Sequence, residues 1–158
     1  MKKFELIVGL IALLGMFLRI FYVPGSDILI VLVFTILSMF YYVFSFALFN
    51  GIRLRDIFRK ASYKNTNAKR IIGAVWLGWV LSLMVLGGLF KLLFWTGGNI
   101  QLLTGLVNIG LILPIAAIFY FRNKADYYKR IFKRIAIYGG LGLLLYLRPT
   151  EAAFSLFN

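Results

Sequence analysis

The chain has 158 residues, 62% of them hydrophobic and 18% aromatic, which is more apolar surface than a soluble domain of this length can bury. It has no cysteine and no histidine, so thiol chemistry, disulfides, imidazole bases and most transition-metal or haem ligation are excluded. The net charge is +13, and its meaning depends on where the cations stand.

In chain order, the first apolar stretch covers 4–23, behind Lys2 and Lys3. It is longer than a signal core and no small-residue cleavage site follows, so it is expected to be a retained first helix. A second apolar stretch covers 28–49. Leu54, Ile57, Phe58 and Ala61 then recur at i, i+3, i+4 and i+7, with Arg53, Arg55, Asp56, Arg59 and Lys60 between them, the pattern of a basic amphipathic helix. A polar linker at 62–70 leads to apolar stretches at 71–95 and 100–121. Tyr128, Ile131, Phe132 and Ile135 repeat the amphipathic spacing, with Lys129, Arg130, Lys133 and Arg134 on the other face. Residues 135–147 are apolar but few, about 20 Å of helix against a hydrocarbon core of about 30 Å. Arg148-Pro149 is expected to stop that helix, and 150–158 forms a short tail.

Four stretches are thus long enough to cross a bilayer, and the basic residues gather on one side of such a four-span chain. The short connections opposite, 24–27 and 96–99, hold no Lys or Arg. This is the positive-inside pattern; it predicts a bacterial inner-membrane protein with its N-terminus and both basic segments in the cytoplasm, and it removes the reason to invoke nucleic acid. Arg55, Arg59, Lys60, Lys129, Lys133 and Arg134 are candidates to meet anionic lipid or an acidic partner.

The two halves repeat. Residues 15–28 align with 87–100 without a gap: Gly15 with Gly87, Arg19 with Lys91, Gly25 with Gly97, Asp27 with Asn99. The expected architecture is all-α: two tandem transmembrane hairpins in the same orientation, each followed by a basic amphipathic helix, and a short C-terminal apolar helix. The units divide as 1–61, the linker 62–70, 71–134 and 135–158. Arg19 and Lys91 stand roughly one turn from a helix end, where a long cation reaches the headgroups and meets the negative end of the helix dipole. Asp27 and Asn99 are expected to cap the helices that follow. Gly15, Gly87 and Gly88 are expected at helix contacts, and Asn108 is expected to hydrogen-bond across helices.

Gly88-Leu89-Phe90-Lys91, continued by Phe94-Trp95-Thr96-Gly97-Gly98, resembles the Gly-x-Leu-Phe-Lys-x-x-His-Trp/Phe-x-Gly signature in the first hairpin of the GldL family of gliding-motility and type IX secretion proteins. The likeness covers about 87–121, with a fainter echo at 15–49. It implies a two-helix hairpin of the kind that in GldL rings a partner's helix in a proton-driven motor. Here the signature histidine is Phe94, and 100–121 has no glutamate to carry protons, so the resemblance extends to the hairpin and the cation alone.

No pair of the five acidic residues, Glu5, Asp27, Asp56, Asp126 and Glu151, is spaced for hydrolysis or metal binding, so neither an enzyme nor a cofactor is expected. The leading expectation is a non-enzymatic subunit or accessory protein of a larger cell-envelope complex, with other membrane subunits or copies of itself as partners. Two others stand beside it: a small oligomeric channel or carrier with Arg19 and Lys91 lining an anion path, and an anionic-lipid-binding protein.

Overall fold

The computed structural model describes residues 1–64 and 66–148, and among them every regular element is helical. α1 spans Lys2–Ile20, α2 Ser26–Asn50, α3 Ala68–Leu92, α4 Gly98–Asn123, α5 Asp126–Arg134 and α6 Gly140–Leu147. Three of them, α2, α3 and α4, are long and apolar enough to cross a membrane. α1, expected as the first of four such helices, is shorter at 19 residues and includes Lys2, Lys3, Glu5 and Arg19.

The body is organised around α3. Ala74, Gly78 and Ser82 follow one another at i+4 and face α2 with almost no side-chain bulk. A Cβ on Gly78 would lie 2.1 Å from Ser45 Cβ and 2.7 Å from the Tyr41 carbonyl oxygen, so the α2 backbone itself occupies that space. One turn away, Ser38 and Ser82 share a hydrogen bond at 2.7 Å between their hydroxyls. As the α2 numbers rise the α3 numbers fall, which makes the pair antiparallel.

The remaining helices use the same device of glycine against side chain. Gly15 of α1 sits against Ile30 of α2, and Phe4 against Phe40, so α1 runs antiparallel to α2 along its outer side. Gly87 of α3 meets the α4 backbone at Leu102, while Gly105 of α4 receives the thioether of Met84. Pro114 lies inside α4 without ending it.

The C-terminal segment departs from expectation. α5, with nine residues, passes through a five-residue π-turn at Ile135–Gly139 directly into the eight residues of α6. The result is one helical rod of about 33 Å rather than a separate short helix. It begins where Tyr127 donates to the Arg70 carbonyl at the start of α3 and reaches Leu145 beside Gly88 near the end of α3. It therefore runs parallel to α3 over nearly its full height. Pro149 and the tail 150–158 lie outside the described residues.

The two expected amphipathic helices also part company. Tyr127, Tyr128 and Ile131 of α5 are buried against the bundle, and the helix is prolonged by the π-turn and α6. The segment after α2 forms only short 3-10 turns, Leu54–Asp56 and Lys60–Tyr63. Its apolar stripe gains little packing, since Leu54, Phe58 and Ala61 are exposed and Ile57 is only half-buried, and a helix of so few residues does not hold without such packing. Gly51, at φ 77°, ends α2 in the left-handed conformation and turns the chain away.

Two glycines on the long helices give a direct test of the α2–α3 contact. Gly78→Ala should destabilise the protein by about 1–3 kcal/mol, because the backbone at Tyr41 has to move. Gly110→Ala, with nothing within 4 Å of the added carbon, should be neutral or stabilising by up to about 1 kcal/mol. Thermal unfolding in detergent, followed by circular dichroism, compares the two.

Candidate functional site

The doubled motif folds twice into the same turn. Tyr22 and Phe94 take up left-handed backbone at φ 56° and 57°, and Gly25 and Gly97 do so at φ 82° and 90°. In the first copy the Val23 and Tyr22 amides donate to the Leu18 and Arg19 carbonyls; in the second Trp95 and Phe94 donate to Phe90 and Lys91. These crossed bonds are a Schellman ending, here with an aromatic residue in place of the usual glycine. Left-handed backbone costs a non-glycine residue about 1–3 kcal/mol, and the ring contacts of Tyr22 and Phe94 are what such a cost is set against.

Within this turn the Asx residues do not cap. Both helices begin two residues earlier than expected, behind glycine N-caps at Gly25 and Gly97, which leaves Asp27 and Asn99 in the first turn with side chains free to reach back. Asp27 Oδ1 takes Arg19 Nε at 3.0 Å, and Asn99 Oδ1 accepts from Lys91 Nζ at 2.6 Å. Each motif cation is thus clasped by the Asx residue of its own copy.

The two copies also meet. Arg19 Nε donates to the Leu92 carbonyl oxygen at 3.3 Å, and its guanidinium lies 5.6 Å from the Tyr22 ring and 5.9 Å from the Phe94 ring. One arginine therefore binds the end of α1, the start of α2 and the end of α3. A charged donor suits the unpaired carbonyls of a helix C-terminus, and the aromatic faces add cation–π attraction. Lys91 is only 7% exposed.

At the opposite end lies a second ionic cluster, of which Arg134 alone is among the sequence-based candidates. Arg134 of α5 forms a two-pronged pair with Glu5 of α1: Nε donates to Oε1 at 2.6 Å, and Nη2 contacts Oε2. The side chains are 9% and 13% exposed. Tyr41 of α2 donates to the same Glu5 oxygen at 2.7 Å, and Tyr138 of the π-turn stands edge-on to Tyr41. Arg134, expected on the outer lipid or partner face, is thus turned inward, where the Glu5 carboxylate of α1 neutralises it. Nothing in the local spacing pairs residues 5 and 134; only the folded chain brings them together.

The neighbouring groups close this end further. Arg130 Nη1 donates to the Phe49 carbonyl at 3.1 Å, which tethers α5 to the last turn of α2. Burial, with Tyr128 adding to it and Arg70 opposing it, pushes the Tyr127 phenol above its ordinary pKa, so it stays a neutral donor to Arg70. Lys129 bridges Asp126 at 3.4 Å on the same helix, and Lys133 is exposed.

The other sequence candidates are spread over the molecule. Gly15, Gly87 and Gly88 are buried at helix contacts. Asn108 accepts from Trp76 of α3 at 3.2 Å and donates to the Thr104 carbonyl at 2.9 Å. Arg55 and Arg59 flank Asp56 at 3.8 and 3.4 Å on the exposed connector, with Lys60 beside them. Phe58, between those arginines, is 97% exposed. Among the described residues no group of His, Cys, Asp or Glu is placed to hold a metal ion.

The two clusters make separate predictions. Glu5→Gln should destabilise the protein by about 3–5 kcal/mol by leaving Arg134 buried without its counter-charge, whereas the double change Glu5→Gln, Arg134→Met should cost less than the single one. Arg19→Ala should cost about 1–2 kcal/mol, less than Glu5→Gln, since Asp27 is partly exposed and keeps its water. Detergent unfolding midpoints of the four proteins rank them.

No protein-family model, curated protein or solved structure matches the chain, so a functional reading rests on the arrangement of its own residues.

Proposed function

We propose that this chain is a non-enzymatic subunit or accessory protein of a larger cell-envelope assembly. It sits in the bacterial inner membrane as two tandem hairpins, α1–α2 and α3–α4, with the N-terminus and the basic end in the cytoplasm. The observation that carries the reading is Phe58: a fully exposed aromatic flanked by Arg55 and Arg59 on the connector between α2 and α3. Aromatic and arginine side chains are the types that dominate protein–protein contacts, and a connector that builds no packed helix has little structural reason to hold them outward.

Two further points support it. The charged groups of the motif turns and of the Glu5 cluster are engaged with one another as clasps between helices, which suits a scaffold better than a conduction path. The turn of α3–α4 carries the residues that resemble the GldL hairpin, a segment that works in that family by assembling around a partner. Acidic protein surface is the chemistry that Arg53, Arg55, Arg59 and Lys60 would recognise.

A photo-crosslinking residue placed at position 58 in native membranes tests the reading. Discrete adducts with one or a few proteins are expected, and Arg55→Glu with Arg59→Glu should abolish them while the chain still accumulates in the membrane. Adducts with lipid alone, or protein adducts indifferent to charge reversal, would contradict it.

A further inference from the structure

α1 and the α5–α6 rod stand on the same side of the α2–α3 pair and, among the described residues, meet near one end, at Glu5–Arg134 and at Gly9 beside Tyr138. Beyond that point they diverge, leaving a groove of about 660 Å³ between them, a size ordinary for a small-molecule site. Leu6, Leu10, Leu13 and Met16 of α1 form one wall, and Ile137, Leu141 and Leu145 form the other. Phe34 and Leu37 of α2 with Met84 and Val85 of α3 close the floor.

The two ends of this groove differ in character. At the Glu5 end it is bordered by Lys2, Lys129, Arg130 and Lys133, and among the described residues Asp126 beside Lys129 is the only acid there besides Glu5. Glu5 is already neutralised by Arg134, and Asp126, in an exposed pair with Lys129, offsets only one of the four cations Lys2, Lys129, Arg130 and Lys133. Lys2 and Lys133 have no ion pair among the described residues, so the mouth keeps a surplus of positive charge. Away from it the lining is apolar. From Leu6 to Met16 the α1 wall rises about 15 Å, half of a hydrocarbon core of about 30 Å.

We infer that the groove between α1 and α5–α6 is a binding site for one anionic phospholipid, its phosphate at Lys2, Lys129 and Lys133 and an acyl chain laid along the apolar walls. A cationic mouth followed by one leaflet's depth of apolar lining fits a molecule with a charged head and a single-leaflet tail. It fits a free anion poorly, because the described residues that line the remaining depth are apolar. A partner's transmembrane helix would need no cluster of cations at one end. The inference rests on the membrane placement proposed above and is independent of any partner at Phe58.

The test is native mass spectrometry of the full chain in non-ionic detergent, titrated with dioleoyl-phosphatidylglycerol, dioleoyl-phosphatidylcholine or inorganic phosphate. One phosphatidylglycerol should be retained per chain, with phosphatidylcholine held at least about tenfold more weakly. Lys129→Gln with Lys133→Gln, both exposed positions, should weaken phosphatidylglycerol binding by about tenfold and leave the unfolding midpoint nearly unchanged. Because the chain has no cysteine, Leu13→Cys gives a single labelling site on the groove wall, and a fluorophore there should be quenched by phosphatidylglycerol with a brominated acyl chain. Equal retention of both lipids, phosphatidylglycerol binding unchanged by the double lysine variant, displacement of the lipid by inorganic phosphate, or no quenching at Leu13→Cys would each overturn the inference. Crosslinking at Phe58 reports on the partner alone, so either proposal can fail without the other.

Discussion

The close approach of α2 and α3 at Gly78 is the constraint on which the other parts depend. Between apolar helices in lipid there is no hydrophobic force to draw them together, and association has to come from tight packing and from hydrogen bonds between small polar side chains. The stripe Ala74, Gly78, Ser82 provides the first, and the Ser38–Ser82 bond provides the second. With α3 fixed against α2, its other faces receive α4 and the α5–α6 rod, again through positions where glycine admits a neighbour's side chain. α1 has no comparable hold on α3 and reaches the body chiefly through α2, which is why a groove opens on its inner side.

Charge then closes what packing leaves loose. At the turn end a single guanidinium joins the ends of three helices, and at the basic end Arg134 draws the C-terminal rod onto the N-terminal helix. The energetic character of the two differs. Glu5 and Arg134 are both largely withdrawn from water, so each makes the other tolerable and neither is easily dispensed with alone. Arg19 keeps a half-exposed partner and spreads its interactions over a carboxylate, a carbonyl and two rings, and so it acts as a moderate latch. The π-turn follows Arg134 directly and holds Tyr138, whose ring stands edge-on to Tyr41, so the one irregular segment of the rod adjoins the ionic cluster.

The legible parts of this fold were those written in local pattern. Long apolar runs marked the helices, and the repeat of 15–28 at 87–100 anticipated two turns whose backbone angles agree at corresponding positions. Patterns whose outcome depends on a distant surface read less well. Leu54, Ile57, Phe58 and Ala61 have helical spacing as regular as that of Tyr128, Ile131, Phe132 and Ile135, yet only the second set finds a bundle face to cover. Asp27 and Asn99 stand after a turn, where capping is the commonest use of an Asx residue; a helix start two residues earlier turns both toward the cations instead. The Glu5–Arg134 pair and the groove beside it join the two ends of the chain and have no trace in local sequence.

Both halves form one body through the α2–α3 seam, and the absence of cysteine permits a direct measurement of it in native membranes. With Ser38→Cys and Ser82→Cys introduced together, mild oxidation should give a near-complete intramolecular disulfide, because the two hydroxyls lie 2.7 Å apart. Formation of intermolecular dimers in its place, or no crosslink at all, would contradict the seam and with it the placement of every helix that α3 supports.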